Sequence, residues 1–183
     1  MFSKSKSLFE MIGRWPAILI AIVLFIIGNS LILPQVTRFE ELTGGIGLLE
    51  LPNLVGQSLY AIAQTYPADA IELYQRVIQP LDIFYPLTAG LMFASIIAWA
   101  CKTLFAPDSR WQMLPWVGVL ATAFDWLENL GVFIILRTID SPIAAVDGFT
   151  QVMIVLKNGF GFISIAAILV LLIMKLVSWA RSR

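Results

Sequence analysis

Residues 123–133 read AFDWLENLGVF and lie inside an apolar run, 113–136, that is long enough to cross a bilayer as a helix. Three polar groups, Asp125, Glu128 and Asn129, sit near its middle. One charge at the bilayer midplane costs roughly 2.5–3.5 kcal/mol on insertion scales, so two carboxylates within one turn need somewhere other than lipid to point. At about 100° per residue, Gly118, Ala121, Thr122, Asp125, Asn129 and Val132 share one face, with Glu128 at its margin. Trp116, Leu120, Phe124, Leu127, Leu130 and Ile134 fall on the other side. Small residues mark close helix approach in membranes and large apolar ones face lipid. The acidic cluster is therefore expected to face the interior of a helical bundle.

The rest of the chain supplies that bundle. Of 183 residues 59% are hydrophobic and 13% charged, where a soluble domain carries about 25% charge. The excess is concentrated in blocks at about 15–33, 83–101, 113–136 and 150–176, each close to the ~20 residues that span ~30 Å of hydrocarbon. The expected fold is all-α, an integral membrane four-helix bundle forming a single four-span domain over 1–183. The first block is too long for a signal-peptide core and lacks a small-x-small cleavage site, so it reads as an uncleaved anchor.

Composition also excludes chemistry. The formal net charge is zero, which gives no support for a nucleic-acid partner. Cys101 is the sole cysteine, so no internal disulfide or CxxC pair exists. Histidine is absent, which removes His-ligated haem, His-containing zinc sites, Ser-His-Asp triads and Cys-His pairs together. No cofactor and no metal site is expected.

Basic residues set the expected orientation. Lys4, Lys6, Arg14, Lys102, Arg110, Lys175, Arg181 and Arg183 fall on one side, against Arg38, Arg76, Arg137 and Lys157 on the other. Glu40, Glu41, Glu50, Asp69, Glu72, Asp82, Asp140 and Asp147 lie on that second side. The positive-inside rule then puts both termini in the cytoplasm, with the chain expected as a multi-pass protein of the cell membrane. Trp15, Trp99, Trp111, Trp116 and Trp179 gather near the inner interface, and all four tyrosines lie on the outer side.

The outer segment, 34–81, opens with a flexible TGGIGLLELPN stretch and then shows apolar residues at helical spacing: Leu54, Leu59, Ile62, then Ile71, Leu73, Val77, Ile78. Pro67 suits a helix start, with Asp69 and Glu72 in its first turn, and Pro80 suits its stop. Two short amphipathic helices capping the outer mouth are predicted. GGIG at 44–47 lacks both the preceding strand and the Lys-Ser/Thr of a phosphate loop, and reads as a flexible turn.

Other spans offer partners at similar depth. Asn29 falls ~7 Å and Glu128 ~5 Å outward of the midplane. A fourth span starting near Thr150 sets Lys157 level with Glu128, whereas one starting near Phe160 leaves Lys157 at the interface. The small face of Lys157, Gly161 and Ser164 favours an inward lysine, and pairing with Glu128 would offset part of both burial penalties. The candidate ligand-binding set is Asp125, Glu128, Asn129, Lys157, Asn29, Asp82 and Tyr85. Each has a plainer reading: amide glue for Asn129 and Asn29, a protonated Asp125 in the same role, a helix cap for Asp82, a belt residue for Tyr85.

Asp82-Ile83-Phe84-Tyr85-Pro86 and Asp125-Trp126-Leu127-Glu128-Asn129, with the Tyr66–Leu73 stretch, resemble a loosely defined set of bacterial four-span proteins. That set combines an outer segment, D-h-x-F/Y-P at the start of span two and D-x-x-E-N in span three. The chain lacks the Gly-Arg-x-x-Tyr element found before span two in the set. No activity is established for the set, so the resemblance implies the architecture and no reaction.

Three function classes remain open: binding of a proton, cation or polar lipid headgroup; a structural or assembly role in which the polar layer fixes packing; and an intramembrane enzyme using Asp125 and Glu128 as acid and base or as ligands of a hard metal. The expected partners are membrane lipid and a small polar ligand or ion, and four short spans suggest a homo-oligomer for any transport role.

Overall fold

The structure, a computed structural model, describes residues 8–182. Lys4, Lys6 and Arg183, counted above among the basic residues, lie outside the described residues. Four long helices are long and apolar enough to cross a membrane, and among the described residues there is no strand. They are α1 (Trp15–Leu42), α3 (Ala68–Leu104), α4 (Trp116–Arg137) and α5 (Ala144–Arg181), with a short α2 (Leu59–Ala63) in the first connection. The connection 105–115 lies at the end that carries both described termini, called here the terminal end. The connections 43–67 and 138–143 lie at the other, capped end.

α3, α4 and α5 pack against one another, while α1 docks on α3. Small residues make the crossings. A methyl added at Gly90 would collide with Thr122 and sit 2.9 Å from the Gly118 carbonyl, and one at Gly118 would sit 3.0 Å from the Ala94 amide. Gly131 and Thr150 make the equivalent close contact between α4 and α5. The outer faces are apolar: Leu19, Ile20, Val23 and Ile26 of α1 and Ile163, Leu169, Val170 and Ile173 of α5 are all exposed. In α4, Leu120, Leu127 and Leu130 are exposed while Gly118, Thr122 and Val132 are buried, as the helical pattern requires.

Three boundaries depart from expectation. α1 runs through Pro34 to Leu42 instead of stopping near residue 33. α5 starts at Ala144, before residue 150. Most notably, Pro80 does not end a helix, because Ala68–Leu73 continues through a wide π turn, Tyr74–Ile78, into Gln79–Leu104. The Gln79 amide bonds back to the Tyr74 carbonyl, so the ladder already skips the usual i−4 partner where Pro80 enters. Of the two predicted short helices only α2 stands alone, and the second is the first part of α3.

The capped end is closed by a hydrophobic cluster in which Leu48, Leu49, Leu54, Leu59, Tyr60 and Tyr66 of the connection bury against Phe39, Val132, Ile135 and Ile154. Its polar ties are specific. Asp147 accepts from the Ser58 hydroxyl (3.1 Å) and the Leu59 amide (3.3 Å), the Tyr60 and Thr138 hydroxyls bond at 2.7 Å, and the Tyr66 hydroxyl donates to the Gly47 carbonyl (2.6 Å). Burial, then the charge of Glu50, pushes the Tyr66 phenol well above its ordinary value, which keeps it a donor there. Gly44, Gly45 and Gly47 take positive φ, the left-handed turns that let 43–50 fold back under this cap.

Candidate functional site

The two motifs quoted from spans two and three turn out to be one interlocked unit. Pro86 sits inside α3 and has no N–H, so the Asp82 carbonyl four residues earlier loses its helical donor. The Asn129 side chain of α4 supplies the replacement, donating to that carbonyl at 3.0 Å. One and two turns earlier on α4, the Trp126 indole donates to the Ile83 carbonyl (2.9 Å) and the Thr122 hydroxyl to the Pro86 carbonyl (2.8 Å). In hydrocarbon a freed carbonyl must find a partner within the protein, and Asn129 provides it, while Trp126 and Thr122 add bonds along the same seam. Asn129 therefore carries a packing role.

Asn129 also donates to Asp125 Oδ1 (3.2 Å), tying the carboxylate to the same seam. The second Asp125 oxygen has no bonded partner among the described residues, and Asp125 lines a cleft described below.

Lys157 is the centre of charge. α5 starts early enough to place it level with Glu128, whose carboxylate it contacts directly. The same ammonium meets Glu50 at 3.0 Å, so two carboxylates from different parts of the chain share one lysine. The three side chains are 13%, 0% and 17% exposed for Lys157, Glu128 and Glu50. Lys157 is Glu128's sole ion-pair partner among the described residues, and neither Glu128 oxygen accepts a well-directed hydrogen bond.

Glu50 was missed by the sequence reading, which counted it only among the outer acids. It sits in Leu48-Leu49-Glu50-Leu51, an acid embedded in an apolar run, and that was the available signal.

Asp82 is buried at 5% exposure inside α3, fourteen positions past its start, so it caps nothing. Its carboxylate feels Glu50, Asp125, Glu128 and Lys157. Asn29 donates its amide to the Phe25 carbonyl of its own helix at 2.9 Å and also reaches the Tyr85 hydroxyl, which lies within electrostatic reach of Asp125 and Asp82. Tyr85 is half-buried, with its ring 5.9 Å from that of Phe25. Four carboxylates thus surround one ammonium.

A cleft of about 260 Å³ reaches this cluster from the side. Its polar lining is Thr122, Asp125, Lys157, Asn158 and Tyr85, and its apolar walls include Phe25, Phe93 and Phe162. Glu128 is sealed off from it. The chemistry open to solvent or ligand thus belongs to Asp125, while Glu128, Lys157 and Glu50 form the charged wall behind it. No group of three or more acids and thiols is arranged to hold a metal ion among the described residues. Comparison with known protein families, with curated proteins and with solved structures finds no match.

Proposed function

We propose that the chain is a membrane binding protein whose buried Asp/Glu/Asn/Lys cluster holds a proton, a cation or a polar lipid headgroup at Asp125. The observation that carries this reading is the imbalance of charge: Glu50, Asp82, Asp125 and Glu128 lie within electrostatic reach of one another with Lys157 as their one cation. In a low-dielectric interior such a set takes up either protons or additional positive charge, and Asp125 is the member with a cleft in front of it. A pure packing layer has no use for the cleft, and an acid-base pair of Asp125 and Glu128 is disfavoured because Glu128 does not line it.

The basic residues of the terminal end support an inward orientation in a cell membrane, with the capped end outside. A cysteine placed at exposed Gln57 reacts with an impermeant reagent in intact cells on this reading, and one at Ser182 does not; the reverse pattern inverts the orientation.

The binding role is tested by native mass spectrometry of the protein extracted in mild detergent. The expected result is a stoichiometric adduct on the wild type that Asp125→Leu loses. A wild type without adduct, whose stability varies with pH just as that of Asp125→Asn does, would leave packing as the role of the cluster.

A further inference from the structure

The cleft in front of Asp125 has a shape that identifies what enters it. Its floor is the α3–α4 seam and its two rims belong to α1 and α5, helices that pack on α3 but barely on each other. The mouth therefore opens sideways, toward lipid, with Phe162 at its edge 72% exposed. Asp125 lies near the middle of α4, about 18 Å of helix from Arg137, so the opening is at hydrocarbon depth. The lining also includes the aromatic Phe25, Tyr85 and Phe93 and the Asp125 carboxylate, with one oxygen unclaimed.

Charge selects the ligand's sign. Lys157 also borders the cleft, but two carboxylates already hold it, so it has little to offer an anion. Every other ionisable group near it among the described residues is an acid or a phenol. A carboxylate in a cleft that also carries aromatic side chains suits an ammonium ion, by Coulomb attraction and by cation–π contact. The volume, about 260 Å³, falls just below the ~300 Å³ of the smallest drug-sized pockets. It takes a head and leaves a chain outside.

We propose that this cleft binds the ammonium head of an amphiphilic amine drawn from the bilayer, with Asp125 as its counter-ion and the hydrocarbon chain leaving between α1 and α5 past Phe162. This rests on the binding role proposed above and names its ligand.

Gly161 gives a clean block. It lines the cleft, and a Cβ built there meets nothing within 4 Å. Gly161→Leu therefore sets a side chain on the cleft wall with no clash at its Cβ, and it favours the helix. Asp125→Asn removes the charge while retaining the acceptor that Asn129 uses.

The experiment uses the full chain in nanodiscs of phosphatidylglycerol, which carries no ammonium, and reads thermal unfolding against added dodecylamine, dodecyltrimethylammonium, dodecanol, dodecyl sulfate and ethylamine. The two dodecyl ammonium compounds are expected to raise Tm saturably, with apparent affinity at least tenfold weaker in Asp125→Asn and lost in Gly161→Leu. Dodecanol, dodecyl sulfate and short ethylamine should do neither. If dodecanol or dodecyl sulfate matches the amines and Gly161→Leu abolishes the effect, the cleft binds another headgroup, and the ammonium assignment fails while the binding role survives. Ethylamine matching dodecylamine would overturn the bilayer as the source. No saturable, Gly161-dependent response to any compound would overturn the ammonium assignment, while the adduct measurement above decides the binding role separately.

Discussion

Lys157 and Lys175 lie about five turns apart on α5, on one face of the helix, and they live in different chemistry. Lys157 is wedged between Glu50 and Glu128 in the capped half. Lys175, in the terminal half, lies over the Trp99 ring at 3.4 Å from its centroid and donates to the Thr103 hydroxyl at 3.2 Å. Nothing in the helix itself makes the difference. In the capped half a connection folds back, buries its leucines on the ends of α4 and α5, and carries Glu50 to the lysine. In the terminal half the neighbours are the last turns of α3 and a small cluster of Ile97, Ala100, Cys101 and Leu171. A lysine there rests on an aromatic face at the edge of the bundle, where no carboxylate is needed. The lesson is that a buried charge takes its character from what other segments bring to it.

That contrast can be broken in graded steps. Lys157→Met strands two carboxylates in the interior and is expected to cost about 3–5 kcal/mol of unfolding free energy, measured in detergent. Asn129→Leu leaves the Asp82 carbonyl without a donor at Pro86 and should cost about 1–3 kcal/mol. Glu50→Gln keeps a hydrogen-bonding partner near Lys157, which still has Glu128, and should cost about 1 kcal/mol by the same measure. Lys175→Met removes an edge cation–π contact and should cost about 0.5 kcal/mol. If the Lys175 and Lys157 variants lose equal stability, the two halves do not differ as described.

Much of this was legible in the chain. The spacing of Gly118, Thr122, Asp125 and Asn129 gave the inward face of α4, and Lys157, Gly161 and Ser164 gave an inward lysine able to meet Glu128. Helical periodicity and the cost of lone buried charges were enough for both. Pro80 misled, because a proline signals a helix end only when its neighbours cannot re-satisfy the backbone. At Pro80 a π turn does this, and at Pro86 a side chain from another helix does. Asn129 could be named as glue but not assigned its carbonyl, since the partner lies 47 residues away. Glu50 was hidden for the same reason: its charge looked like loop solvation until the glycine turns folded it inward. The cleft at Asp125 arises from the spacing between α1 and α5, which no local pattern encodes.

The central claim is that Lys157 and Glu128 are coupled as a buried pair. A double-mutant cycle on Glu128→Gln, Lys157→Met and the combined variant, read by reversible unfolding in detergent, tests it directly. The account predicts that each single change destabilises strongly and that the double is less harmful than their sum by about 2 kcal/mol or more. Losses that add within about 0.5 kcal/mol would contradict it.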